Sequence, residues 1–201
     1  MDKKFLIVLV ALVLSVTCTI GVTLAWLVST PDPVTNTFTV GNIEITLDEA
    51  PVDVYGNVVT GERVKANAYK LVPGQTYDKD PTVHVAANNE KCYVFVKVEN
   101  GIVDFEAGTN TIANQIVNNG WTALDGHAGV YYKVVDANVT GNDAELVVFS
   151  KFVIADSVDK TALAGVNANT VVKVTAYAIQ YASFESNPTE AWTTVNPAAK
   201  G

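Results

Sequence analysis

The chain has 201 residues, with 13 Lys plus Arg against 21 Asp plus Glu and a formal net charge of −8. That length suffices for one domain with an ordinary core. The acidic balance argues against a nucleic-acid-binding face and against adsorption to anionic lipid, both of which require a basic surface.

The first 25 residues read as a secretory signal. Lys3 and Lys4 form a charged start, "FLIVLVALVLSVTCTI" (5–20) carries no charge, and Thr23-Leu24-Ala25 offers small residues at −3 and −1. Cleavage is expected between Ala25 and Trp26. The alternative is an uncleaved anchor, since the uncharged run from Phe5 to Val28 is long enough to span a bilayer, although no basic stop-transfer cluster follows it. Cleavage removes two lysines and one aspartate, leaving the remainder one charge more acidic. It also removes Cys18, so Cys92 stands alone and no intrachain disulfide can form. The "SVT" before Cys18 lacks the leucine and the small residue expected of a lipoprotein.

Beyond Ala25 the pattern is one of strands: short runs of Val, Ile, Thr, Tyr and Phe separated by Gly, Asn, Asp and Pro. The expected strands are 36–47, 69–71 leading to a Pro73-Gly74 turn, 82–85, 92–98, 129–135, 145–154 and 171–181. Such a series predicts an all-β fold, an antiparallel β-sandwich over 38–201. Two short helical insertions are expected, at 111–118 and, from a Ser157 cap, at 157–164. In "KCYVFVKVEN", Cys92, Val94, Val96 and Val98 share one face, which is read as core. Tyr93, Phe95, Lys97 and Glu99 share the other, expected to be half-solvated or covered by something else. In the first strand Phe38 and Val40 are out of phase with Ile43, Ile45 and Leu47, which places a bulge or bend at Gly41.

Residues with catalytic potential are sparse. His84 and His127 do not form an HExxH, and they are read as a strand histidine and a solvated loop histidine. The parity of Cys92 makes it a buried, inert thiol. No nucleophile elbow, phosphate loop or serine–lysine pair is present in the sequence. Asp78-Lys79-Asp80 and "GNDAE" (141–145) are read as solvated acidic turns rather than calcium sites. Asn138 begins a formal glycosylation sequon, and the carboxyl end carries no LPxTG-type signal. No catalytic residue, metal or cofactor is expected.

Three stretches together carry a resemblance: "GVTLAWLVST", "NTFTVGNIEITLDE" and "YKLVPGQTYDKDPTVHVAANNEKCYVFVKVEN". The chain resembles the TasA/camelysin family of secreted bacterial matrix proteins, well over 20–100 and more weakly afterwards. The resemblance implies a leader processed by a signal peptidase of the SipW type, and a jelly-roll sandwich that assembles with copies of itself into extracellular fibres, with other matrix proteins as further partners. It also implies that Trp26, Leu27, Val28, Ser29 and Thr30, within the segment 26–37, act as a donor strand for a neighbouring subunit. Pro31 and Pro33 suit a semi-rigid spacer behind that strand. Two alternatives accompany this reading. One is a camelysin-like metalloprotease, for which the sequence shows no zinc constellation. The other is a surface-binding module held at the membrane by an uncleaved leader.

Overall fold

A computed structural model describes residues 43–137, 141–164 and 172–196. The chain divides into two units, Met1–Thr37 and Phe38–Gly201, and every described residue belongs to the second. The leader, the 26–37 segment, the expected bend at Gly41 and the Asn138 sequon lie outside the described residues. Among the described residues no helix is long and apolar enough to cross a membrane.

The described residues form nine strands: β1 (Ile45–Asp48), β2 (Thr76–Asp78), β3 (Thr82–Val85), β4 (Cys92–Asn100), β5 (Thr122–Ala123), β6 (Val130–Val135), β7 (Ala144–Val147), β8 (Lys151–Val153) and β9 (Val172–Gln180). Every pairing is antiparallel. They form a three-stranded sheet β1-β3-β7, a two-stranded ribbon β2-β8 and a four-stranded sheet β5-β6-β4-β9. The expected all-β, antiparallel class is therefore what the chain adopts.

The organising element is β4, and period 2 explains why. Cys92, Val94 and Val96 are wholly buried and Val98 nearly so. They meet Val83, Val85, Ile43 and the half-buried Ile45 and Leu47 in one core, so the three- and four-stranded sheets pack face to face. The opposite parity of β4 is also covered at one end. Tyr93 and Phe95 pack with Leu124, Val130 and Ile179 against Ala191, Trp192 and Val195 of a C-terminal helix, α3 (Pro188–Val195). Lys97 and Glu99 lie beyond that cover and are more exposed. Two further helices are α1 (Ile112–Asn118), capped by the Thr111 hydroxyl, and α2 (Lys160–Ala164).

Several sequence expectations are corrected. Residues 69–71 are not a strand, because their backbone groups find other partners. Lys70 N donates to Val54 O, Tyr77 Oη donates to Lys70 O at 2.8 Å and accepts from Val72 N at 2.6 Å. The strand in this region is β2, beyond the Pro73-Gly74 turn, where Gly74 has φ +75 as the third residue of a type II turn requires. The run 145–154 is two strands, not one. Val148 and Phe149 are both buried, and a single strand cannot turn two consecutive side chains to the same core. The cap of α2 is Asp159, whose Oδ1 accepts from Ala162 N at 2.7 Å, rather than Ser157. The loop into β6 is drawn against β4 at Gly129 (φ +74), where a Cβ would stand 2.6 Å from the Val98 carbonyl oxygen.

Candidate assembly surface

Position in the sheet distinguishes β9 from β4. All nine residues of β9 pair with β4, from Val172↔Asn100 to Gln180↔Cys92. On its other side β9 has no partner strand among the described residues. A row of backbone donors and acceptors nine residues long therefore lies along the edge of the domain, the arrangement to which another extended segment can add. β1 ends the three-stranded sheet in the same way. The two edges lie near one another, with Cα atoms of β1 and β9 within 8 Å, yet no pairing joins them.

Side-chain burial along this seam fits an unfinished core. Val172, Val174, Ala176 and Ala178 of β9 and Ile45 and Leu47 of β1 pack on the shared core but are only partly buried. Their neighbours one strand further in, Val94 and Val96 of β4 and Val83 and Val85 of β3, are fully buried. The residues at 176 and 178 are alanines, so this part of the strip is formed by small side chains. The surface can thus offer main-chain hydrogen bonds and an apolar strip together.

A charged cluster borders the end of β1. Arg63 donates through Nε to Asp48 Oδ1 and through Nη1 to Asp80 Oδ2 at 3.0 Å. The His84 Nε2–Asp48 Oδ1 separation is 2.9 Å, whereas His84 Nδ1 lies 3.9 Å from Glu145, too far for a hydrogen bond. Burial alone would raise the Asp48 carboxyl, but its bonds to Arg63 and His84 outweigh that and hold it below its ordinary value of 3.8. Asp80 also accepts from Ala50 N at 2.6 Å. Deeper in, Lys79 Nζ donates to Glu49 Oε2 at 2.5 Å, and both side chains are buried. Asp78-Lys79-Asp80 is therefore no solvated turn: Lys79 is buried in an ion pair and Asp80 is tied to Arg63.

The other expected residues fall as follows. Cys92 is buried and its thiol is pushed up to about 11 by burial. His127 lies in the loop between β5 and β6, as expected, but is half-buried against Trp192, ring centroids 6.4 Å apart, rather than fully solvated. His84 lies on β3, far along the chain from His127, and the two belong to different clusters. Asp143 of "GNDAE" accepts from Ala87 N at 2.9 Å. Among the described residues no group of three or more His, Cys, Asp and Glu is arranged to hold a metal ion.

Sequence reasoning gave no role to Asp48, Glu49, Arg63 or Asn67, which lie together in space but are separated along the chain. One signal was present. Lys79 follows the buried Tyr77 at a spacing of two in "TYDK", so an inward-facing lysine needing a partner could be inferred from strand parity.

The domain is an antiparallel all-β fold whose longest edge strand is open among the described residues. No family model, no curated protein and no solved structure matches the chain.

Proposed function

We propose that this is a secreted structural protein of an extracellular matrix, built on a jelly-roll-like sandwich. It polymerises when the segment 26–37 of one copy adds to the free edge of β9 in the next. The observation that carries this reading is the edge itself: nine residues without an outer partner among the described residues, beside apolar side chains that are only partly buried. The proposed donor has what such an edge takes. Trp26 and Val28 would share one face of an extended segment, and burying those two side chains contributes about 3–6 kcal/mol before association costs. Pairing with the edge sets the register.

Because donor and acceptor are different surfaces of one chain, the contact is heterologous and repeats into an open filament. Pro31 and Pro33 keep the donor extended and away from its own domain. Cleavage after Ala25 by a signal peptidase of the SipW type frees the donor's end, and no catalytic step is involved. The test is a deletion of residues 26–30 in the mature chain, examined by negative-stain microscopy. The expected result is soluble monomers that regain filaments only when copies carrying the segment are supplied. Filaments of unchanged length from the truncated protein overturn the proposal.

A further inference from the structure

The buried Glu49 and Lys79 form a triad with the half-buried Asn67 that the assembly reading does not use. Glu49 is 4% exposed and Lys79 9% exposed. The Lys79 ammonium donates to Glu49 Oε2 at 2.5 Å, and Asn67 Nδ2 donates to Glu49 Oε1 at 3.0 Å. A single carboxylate thus holds an amine on one oxygen and a carboxamide on the other. The remaining polar atoms of the amide are fixed as well: Asn67 Nδ2 also donates to Ala50 O at 2.9 Å, and Asn67 Oδ1 accepts from Val52 N at 3.0 Å. The Tyr69 ring walls the site, with Lys79 Nζ 5.8 Å from its centroid. Burial pushes the Tyr69 phenol well above its ordinary value, as a site shielded from water requires.

A buried ion pair is a poor source of stability, because removing two charges from water offsets most of their attraction. A surface-spanning pair or two packed aliphatic side chains would serve a purely structural purpose as well. What this triad holds, and such replacements would not, is a nucleophile, an electrophile and a proton carrier within one hydrogen-bonded unit. We propose that Lys79 and Asn67 join through a self-catalysed amide (isopeptide) bond, with Glu49 as the proton carrier.

The step balances without any co-reactant. Lys79 passes one proton along its hydrogen bond to Glu49, giving a neutral amine and a protonated carboxyl. The amine attacks Cγ of Asn67, forming the Nζ–Cγ bond, while the Val52 N–H stabilises the charge developing on Oδ1. The Nζ of the adduct loses a second proton, Nδ2 gains one through Glu49, and the Cγ–Nδ2 bond breaks to release ammonia. Ammonia carries away the remaining proton as ammonium, and Glu49 returns to its carboxylate form. Oxidation states do not change. The product ties the segment after β1 to the end of β2 by a covalent link, in a chain whose single described cysteine cannot form one.

This inference does not depend on strand donation, and its test is separate. The full secreted protein is denatured and digested with trypsin, and the peptides are mapped by mass spectrometry. An unjoined chain yields the peptides 66–70 ("ANAYK") and 71–79 ("LVPGQTYDK"). The joined chain resists cleavage after Lys79 and yields 66–70 fused to 71–91, lighter than the two together by one ammonia. Glu49→Gln and Lys79→Arg are each expected to restore the unjoined peptides. Recovery of both unjoined peptides alone from the unaltered protein overturns the proposal, and so does an undiminished fused peptide in Glu49→Gln. Because the unaltered protein decides the matter, a variant that fails to fold does not rescue the idea.

Discussion

Trp192 and Trp121 are both almost fully buried, at 1% and 2% exposure, but their indole nitrogens are treated differently. Trp121 Nε1 donates to Val147 O at 2.9 Å. Trp192 Nε1 is buried without a hydrogen-bond partner among the described residues, while its ring meets Phe95 at 5.5 Å and Tyr177 edge-on at 5.2 Å. Trp192→Ala removes the ring that α3 lays over the outer face of β4 and should cost about 3–5 kcal/mol. For a domain of this size that corresponds to a fall in Tm of roughly 6–20 °C. Replacement by phenylalanine separates area from hydrogen bonding. Either Phe variant forfeits about 1–2 kcal/mol of apolar burial. Trp192→Phe also removes a buried N–H that lacks an acceptor, recovering about 1–3 kcal/mol, so its net effect is close to zero. Trp121→Phe breaks a made bond and loses about 0.5–1.5 kcal/mol more. Urea denaturation of the two Phe variants should therefore separate them by about 1.5–4.5 kcal/mol, with Trp121→Phe the less stable. Equal stabilities, or the reverse order, would refute this account of the two indoles.

Three other outcomes follow from the same coordinates. The Asp48 carboxyl lies below 3.8 in the folded chain, so its contribution is present above that pH and is lost as pH falls through its folded value; Asp48→Asn should lower stability at neutral pH and flatten that acid limb in a series of denaturation curves. Cys92, with its thiol pushed up to about 11 by burial, should remain unlabelled by iodoacetamide at pH 8 in the native protein and react fully once unfolded; rapid labelling of the native form would contradict its placement. Gly129→Ala forces a Cβ against the Val98 carbonyl at a positive φ, and is expected to cost more than about 1 kcal/mol by thermal denaturation, with the cost falling on the β4–β6 pairing.

The parts of the fold that were legible are those governed by one strong local rule. Period 2 in "CYVFVKV" gave the core face of β4 and left Tyr93 and Phe95 either half-solvated or covered; α3 covers them. The spacing of Ile112 and Ile116 marks α1, and both are buried in the core. Elements shaped by tertiary partners were not legible. Residues 69–71 look like a strand, but the Tyr77 hydroxyl takes the place of a neighbouring strand. The run around Val148-Phe149 looks continuous, and only the packing of both side chains inward breaks it. The helix α3 carries a start signal, in which Asn187 accepts from Glu190 N and donates back to its carboxylate. Its apolar face, however, is limited to Ala191, Trp192 and Val195, too few positions for a helical period to stand out. A donor role for residues 26–37 is a proposal that starts from the family resemblance. The edge position of β9 among the described strands could not be read, since strand order depends on which distant strand β4 chooses on each side. The Glu49–Asn67–Lys79 triad was hidden for the same reason.

The claim that β9 receives the donor segment is tested most directly by amide hydrogen exchange along Val172–Gln180 in the mature chain lacking residues 26–30, with and without a synthetic peptide of residues 26–37. Half of the β9 amides already bond to β4, and the outward-facing remainder should exchange rapidly in the absence of peptide. The account predicts that the peptide slows exchange at those outward amides, and that replacing its Trp26 and Val28 by Ser abolishes the effect. Unchanged exchange across β9, or protection confined to another strand, would contradict it.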